Sequence, residues 1–412
     1  FRLIAALICL LATLPAAADL AIVNARIYPS PEAEPIERGS VVMREGRIVA
    51  VGPAGEVAVP DGVQVIDAAG GVVTAGFWNS HVHLLAPPLD RARTGHAGAL
   101  DAALRDMLLA RGFTTVFDIA GFQGNAAALK ARIEAGEVTG PQILHVDSPF
   151  FPKDGTPVYV QELMASLGAP SAEVATPGQA RRRARAQLDA GADGVKLFVG
   201  AIMGHGVVRH MDPEVVQAVT AEAAAAGKPS FAHPTDLAGL ERALAGGVGI
   251  LSHPTTTDDP WDAALVARLT ARDVALVPTL TLFEWELHRE GAPPAVTEAF
   301  VAAGVDRVRV FHEGGGTVLF GTDVGYTDHM DTRREFELLG QAGLDWRAML
   351  ASLTTAPALR FGQAARRGRL APGQAADLVL LGSDPAIDAA AFADVRATVR
   401  GGRVVYSRAP AP

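Results

Sequence analysis

The middle of this 412-residue chain alternates, eight times over, between a short run of β-type residues and a helical run of ten or more. That alternation is the pattern of a parallel sheet whose crossovers are helices. The strand runs are Val72–His83, Thr114–Ile119, Gln142–Asp147, Gly194–Val199, Ser230–His233, Gly249–His253, Val274–Leu280 and Val318–Asp323. Runs rich in Ala, Leu, Arg and Glu fill the gaps, over about 98–111, 123–136, 177–190, 213–226, 236–245, 260–271, 296–313 and 332–348. Eight such units over roughly 280 residues suit a (β/α)8 TIM-type barrel, an α/β fold whose active site lies at the C-terminal ends of its strands. The rival is a doubly wound open sheet, but no Gly-x-Gly-x-x-Gly turn opens a helix after a strand.

Both flanks have a different texture. Short strands at Leu20–Val23, Ser40–Met43, Arg47–Val51 and Gln64–Asp67, separated by Gly- and Pro-bearing turns, are answered near the other end by Ala376–Leu381, Ala397–Arg400 and Arg403–Tyr406. The two ends are expected to build one small β-sandwich domain from residues 19–75 and 365–412, leaving 76–364 as the barrel.

Residues 1–18 carry Arg2, an apolar stretch from Leu3 to Leu14 and then Pro15-Ala16-Ala17-Ala18, the order of a secretory signal peptide. Periplasmic or secreted localisation follows as an expectation, with an uncleaved anchor as the alternative. The stretch is short for a transmembrane span of about 20 residues, and no later segment reads as one. The chain has a single cysteine, Cys9, inside that stretch. A mature chain therefore has no disulfide and no thiolate, and any metal must be held by nitrogen and oxygen. A net charge of −9 offers no basic patch for nucleic acid. A small-molecule substrate is the expected partner, and a homo-oligomer is left open.

Chemistry-bearing residues gather where the strands end. In His81-Val82-His83 the two imidazoles project to one face of a strand, an arrangement that suits one metal ion. Strands five and six end in His233-Pro234 and His253-Pro254; the residue before proline is driven to extended backbone, which would fix each histidine as the last extended residue of its strand. Strand eight delivers Asp323 to the same rim. Lys196 lies within Gly194-Val-Lys-Leu-Phe-Val199, a buried-looking run, in a chain with only four lysines among 36 basic residues. Unlike arginine, a desolvated lysine can lose its proton and be chemically modified.

These residues identify a resemblance. The chain resembles the metal-dependent amidohydrolase superfamily, in its imidazolonepropionase-related and Xaa-Pro-dipeptidase-like branch. The likeness runs from Ile22-Val-Asn-Ala-Arg26 through Ala75-Gly-Phe-Trp-Asn-Ser-His-Val-His83 to Gly368-Arg-Leu-Ala-Pro-Gly-Gln-Ala-Ala-Asp-Leu378. It implies two divalent metal ions, one held by His81, His83 and Asp323 and the other by His233 and His253. Lys196, carboxylated by carbon dioxide, would bridge them as a carbamate. Zinc suits this ligand set, and manganese, cobalt or iron would be tolerated chemically. The implied activity is hydrolysis of an amide C–N bond in a small substrate of dipeptide or N-acyl amino acid type, by a metal-bridging hydroxide with Asp323 as general base and then general acid. A cyclic amide, a lactone or a phosphotriester would use the same site, and a catalytically silent metal-binding barrel is the alternative of another class. Asn79 stands where the family often has Asp, which bears on hydrogen bonding around the ligands.

The connection from about 147 to 175 is long enough to be a lid. His145 and Tyr159 from its neighbourhood, and His205 and Arg209 after the lysine strand, are candidate substrate contacts.

Overall fold

The computed structural model describes residues 19–166, 170–204, 206–256 and 259–408. The signal segment expected at 1–18 and the candidate His205 lie outside them. Among the described residues no helix is long and apolar enough to cross a membrane.

The two ends of the chain meet in one sheet. Leu20–Ile27 pairs antiparallel with Ile36–Arg44 and parallel with Gln64–Asp67 and Val72–Ala75. Val72–Ala75 in turn pairs antiparallel with Leu378–Leu381, which continues to Val395–Arg400 and Arg403–Ser407. All eight residues of the Val72–Ala75/Leu378–Leu381 ladder are buried, so this seam is covered on both faces. The result is a single eight-stranded sheet, where two facing sheets of a sandwich were expected. The difference lies in that ladder, which stitches the N- and C-terminal strands edge to edge rather than face to face.

The expected strand Val72–His83 is in fact two. It breaks at Gly76, whose N–H bonds the Asp377 carbonyl at 2.7 Å, and Phe77–Val82 then joins a different sheet. A Cβ on Gly76 would lie 2.2 Å from Thr114 Oγ1, so only glycine lets the chain pass between the sheets at this point.

Eight parallel segments follow. Phe77–Val82, Phe113–Asp118 and Gln142–His145 form a three-stranded arc; Val195–Phe198, Ser230–His233, Ile250–Ser252, Ala275–Val277 and Thr317–Val318 form a five-stranded one. Single parallel bridges, Phe150 to Leu197 and Val82 to Val324, span the two gaps between the arcs. The strands therefore do not make the continuous closed ladder that the sequence suggests. At the first gap Pro149 withholds a donor, and at the second Asp323 turns into the left-handed region with φ 61°.

Alternation along these strands sorts the core. Trp78, Phe117, Leu144, Val146, Phe231, Ile250, Val277 and Leu319 fill the space enclosed by the arcs. Their strand neighbours Val116, Ile143, Leu197, Ala232, Leu251 and Leu276 pack outward against the helices. The helices begin with caps the sequence supplies: Thr176, Asp212, Asp236, Asp262 and Asp345 each accept a backbone N–H of the first turn.

Several helical segments differ from expectation, with Val158–Ser166 and Thr355–Arg360 as added helices and two further changes. The run 332–348 is divided into Arg333–Gln341 and Trp346–Leu353, because Gly343 sits at φ 87° and Asp345 starts a new helix. The run Val274–Leu280 ends as a strand at Val277, and Thr279 at φ 47° turns the chain into an unforeseen helix, Leu280–Arg289. Its β-branched and aromatic start, Leu-Thr-Leu-Phe, reads as strand when tertiary context is left out.

Gly76→Ala is expected to destabilise the protein by about 1–3 kcal/mol through overpacking against Thr114, seen as a lower urea midpoint.

Candidate metal centre

Strand pairing brings the first cluster together. Asp323 N–H bonds the His81 carbonyl at 2.9 Å, and His83 N–H bonds the Val324 carbonyl at 2.9 Å, so the eighth segment is laid directly against the His81-Val82-His83 strand. His83 Nε2 lies 2.8 Å and His81 Nε2 3.3 Å from Asp323 Oδ1, and His253 Nε2 lies 3.6 Å from Oδ2. The two Nε2 atoms of His81 and His83 are themselves 3.3 Å apart. His81, His253 and Asp323 each offer a ligand atom within 4.8 Å of the others. Gly321 makes room below them, since a Cβ there would come within 2.9 Å of the His81 Cβ.

Outer contacts settle which imidazole nitrogen faces inward. His83 Nδ1 lies 2.9 Å from the Ala120 carbonyl, an acceptor only, so Nδ1 carries a proton and Nε2 is the nitrogen that faces Asp323. The Thr279 hydroxyl donates to the Pro278 carbonyl at 2.8 Å and therefore accepts from His253 Nδ1 at 2.5 Å, which leaves His253 Nε2 likewise facing Asp323. Asn79 is a further support: it accepts the His81 N–H at 3.2 Å and donates to Thr322 Oγ1 at 2.7 Å. Imidazole Nε2 atoms thus converge on a buried carboxylate, an arrangement that protons or a bound cation between them would satisfy.

Burial decides the protonation states. It lowers His81 to about 4 and His233 to about 3, and holds His253 well below the ordinary histidine value. For Asp323 burial pulls upward, but the adjacent His81 and His83 outweigh it and keep the carboxyl well below the usual range. His83 shows the reciprocal effect: burial pulls it down, and the Asp323 carboxylate raises it.

His233 ends the fifth strand, and its ring stacks on Phe198 at 5.1 Å and meets His253 at 4.9 Å. Lys196 enters the same enclosure 1% exposed, its Nζ 5.5 Å from the Phe198 ring centre. Among the described residues its amine makes no hydrogen bond or ion pair. Burial lowers it from 10.5 to about 7, only partly offset by Asp323, so a neutral, nucleophilic amine is available near neutral pH. The buried histidines, the carboxylate and this amine are the donor set that a divalent metal and a lysine carbamate would use.

Two readings from the sequence are corrected. His253 does not end its strand extended but sits at φ 71°; the ladder has stopped at Ser252, and the bond from His253 N–H to the Val277 carbonyl at 2.9 Å holds the turn. His145 points away from the cluster. Leu144 and Val146 face the interior, so His145 faces the helix layer, where burial lowers its pKa and its charged neighbours are Asp193, Lys130 and Lys228. Tyr159 does reach the rim, on the helix Val158–Ser166, with its ring 5.7 Å from Tyr326. Arg209 is exposed on the strand Val208–His210, its stem near Gly155 of the 147–175 connection. Thr279, Phe198 and Ala120 were not singled out from the sequence; a threonine, an apolar residue and a backbone carbonyl carry no pattern that marks them.

The fold and this cluster can now be set beside known proteins. The sequence profile of the Amidohydrolase family matches residues 72–405, and the chain belongs to that family. A solved candidate prolidase from Bifidobacterium longum is 26% identical, with a TM-score of 0.79 and 97% of each chain covered. A Xaa-Pro dipeptidase with bound methionine superposes at a TM-score of 0.79, is 20% identical, and covers 95% of this chain and 100% of its own; at that identity the likeness is one of fold. Imidazolonepropionase of Rhizobium rhizogenes is 37% identical over 65 residues, which is 15% of this chain and 16% of that protein. The match to the curated relatives thus spans less than a fifth of their length.

Two outcomes follow from the site's contacts and charges. Thr279→Val removes the acceptor that orients His253 and is expected to weaken metal binding by about 10–100-fold in a chelator competition. In metal-free protein the unfolded chain binds a proton on Lys196 below about 10.5 that the folded chain refuses until about 7. Stability should therefore fall as pH drops across that window, and urea titrations should show that part of the slope absent in Lys196→Met.

Proposed function

We propose that this member of the amidohydrolase family is a binuclear metal-dependent hydrolase that opens an amide C–N bond of a small substrate, of dipeptide or N-acyl amino acid type. The observation that carries this reading is the convergence of three imidazole Nε2 atoms on the Asp323 carboxylate, beside the buried Lys196 amine, which makes no hydrogen bond or ion pair among the described residues. In this reading His81, His83 and Asp323 would hold one ion, His233 and His253 would hold the other, and Lys196, as a carbamate formed with carbon dioxide, would supply oxygen donors to both. Zinc fits the nitrogen and oxygen donors.

When bound, the metal pair supplies Lewis acidity that polarises the scissile carbonyl and activates water as a nucleophile at neutral pH. The chain's own groups supply the rest. Asp323 is held ionised by its histidine neighbours, so it can take the proton of the attacking water and return it to the departing amine nitrogen. Thr279 and the Ala120 carbonyl keep their imidazoles in the orientation that presents Nε2. Phe198, stacked on His233, walls one side against water. In the same reading residues 76–364 form the catalytic barrel, residues 19–75 and 365–412 the flanking β unit, and the chain is exported.

The test is elemental analysis of protein expressed with zinc and bicarbonate, with turnover measured on a panel of dipeptides and N-acyl amino acids. About two metal ions per chain are expected, with a lower content in Lys196→Ala and no turnover in Lys196→Ala or Asp323→Asn. One metal unaffected by Lys196→Ala would make the site mononuclear and the lysine structural, and wild-type activity in either variant would remove its assigned role.

A further inference from the structure

Beyond the metal cluster, the unforeseen helix Leu280–Arg289 carries the most suggestive group in the mouth. It starts at Thr279, the residue that orients His253, and its Phe283 ring lies 6.2 Å from the His253 ring. Near its far end, Glu286 Oε1 accepts the Tyr326 hydroxyl at 2.9 Å. Tyr326 is tied back by its own N–H to the Asp323 carbonyl at 3.2 Å. Glu286 is thus anchored to both the His253 and the Asp323 limbs of the cluster, through separate elements.

This carboxylate is half-buried and has no salt bridge among the described residues. The nearby cation, Arg289, lies over the Trp285 ring at 4.5 Å and reaches the Tyr326 hydroxyl at 3.4 Å instead. Burial raises Glu286 to about 7, and the Asp323 charge adds to it, which places the two carboxylates within electrostatic reach. Three aromatic rings stand alongside. Tyr159 from the 147–175 connection and Trp285 each lie 5.7 Å from Tyr326.

We infer that Glu286 is a specificity residue that anchors the free ammonium of the substrate, with Tyr159, Tyr326 and Trp285 packing the apolar side chain beside it. The inference rests on the proposed amide hydrolysis and selects, within it, dipeptides with a free amine over N-acyl amino acids. The chemistry is selective in both directions. An ammonium placed here gives a counter-charge to a carboxylate that has no salt bridge among the described residues, and gains from the ring faces. An acyl group would desolvate the carboxylate and leave it with the Tyr326 hydroxyl but no cation, and a substrate carboxylate would meet a like charge.

The metal-loaded full chain is tested with leucyl and phenylalanyl dipeptides and with their N-acetyl forms, in wild type and in Glu286→Gln. The glutamine keeps size and the Tyr326 contact, and metal content serves as the control for folding. Wild type should favour the free-amine forms, and the variant should lose about 10–100-fold in kcat/KM on them, mostly through KM, while N-acetyl substrates lose nothing or gain as the desolvation penalty is removed. An equal loss on both series, or none on either, overturns the inference and leaves amide hydrolysis standing. If wild type cleaves neither series, the proposed function fails, and calorimetry with L-leucinamide and N-acetyl-L-leucinamide still decides the anchor. Tighter binding of the cationic amide that is lost in Glu286→Gln supports it, and equal binding of the two amides refutes it.

Discussion

The site depends on the contact between the Asp323 carboxylate and the imidazoles of His81 and His83. That contact exists because the eighth parallel segment hydrogen-bonds to the first, through the His81 carbonyl and the Val324 carbonyl. Without that pairing the two histidines would be a polar pair at a strand end and Asp323 a turn residue. Charge then reinforces geometry: the carboxylate stays ionised inside the protein because histidines face it, and the carboxylate in turn raises His83, with Asp118 and the Ala120 carbonyl adding to it. A carboxylate and imidazoles buried together are costly unless protons or a cation lie between them.

Backbone strain gathers at the same rim. Asp147, Thr235, His253, Thr279 and Asp323 all adopt positive φ; the first four stand one or two residues past a parallel strand, and Asp323 stands five beyond Val318. A non-glycine residue in that region costs of order 1–3 kcal/mol, so these turns persist only where the surroundings over-determine them. The apolar interior built by Trp78, Phe117, Phe231 and Leu319, together with the helices packed outside it, supplies that constraint. The strands act as a rigid base that aims side chains, and the strained turns aim them more finely than a continuing strand could.

Around the metal-binding groups the chain adds a mouth of its own. The 147–175 connection brings Tyr159 across to Tyr326, and the helix after strand seven brings Phe283, Trp285 and Glu286 to the opposite side. Membership of the amidohydrolase family accounts for the ligand cluster, while these rim elements are where one member can differ from another in what it accepts.

The sequence by itself determined the parallel strand–helix alternation and the gathering of His81, His83, Lys196, His233 and His253 at or beside strand ends or within a strand, while the expected strand Val318–Asp323 is laddered only at Thr317–Val318 and Asp323 lies on the extension beyond it. Those features follow from periodicity and local backbone preference, which act over a few residues. Only the tertiary structure decided the rest. The split at Gly76 depends on Thr114, the single terminal sheet depends on a ladder between residues about 300 apart, and the outward turn of His145 depends on which face of its strand meets the core. The positive φ of His253 overrode the local pull of Pro254 because the Val277 carbonyl and the Thr279 hydroxyl hold it there. Thr279 and Glu286 were invisible for the same reason: a hydroxyl or a carboxylate becomes a functional group only when folding sets a partner within hydrogen-bond reach.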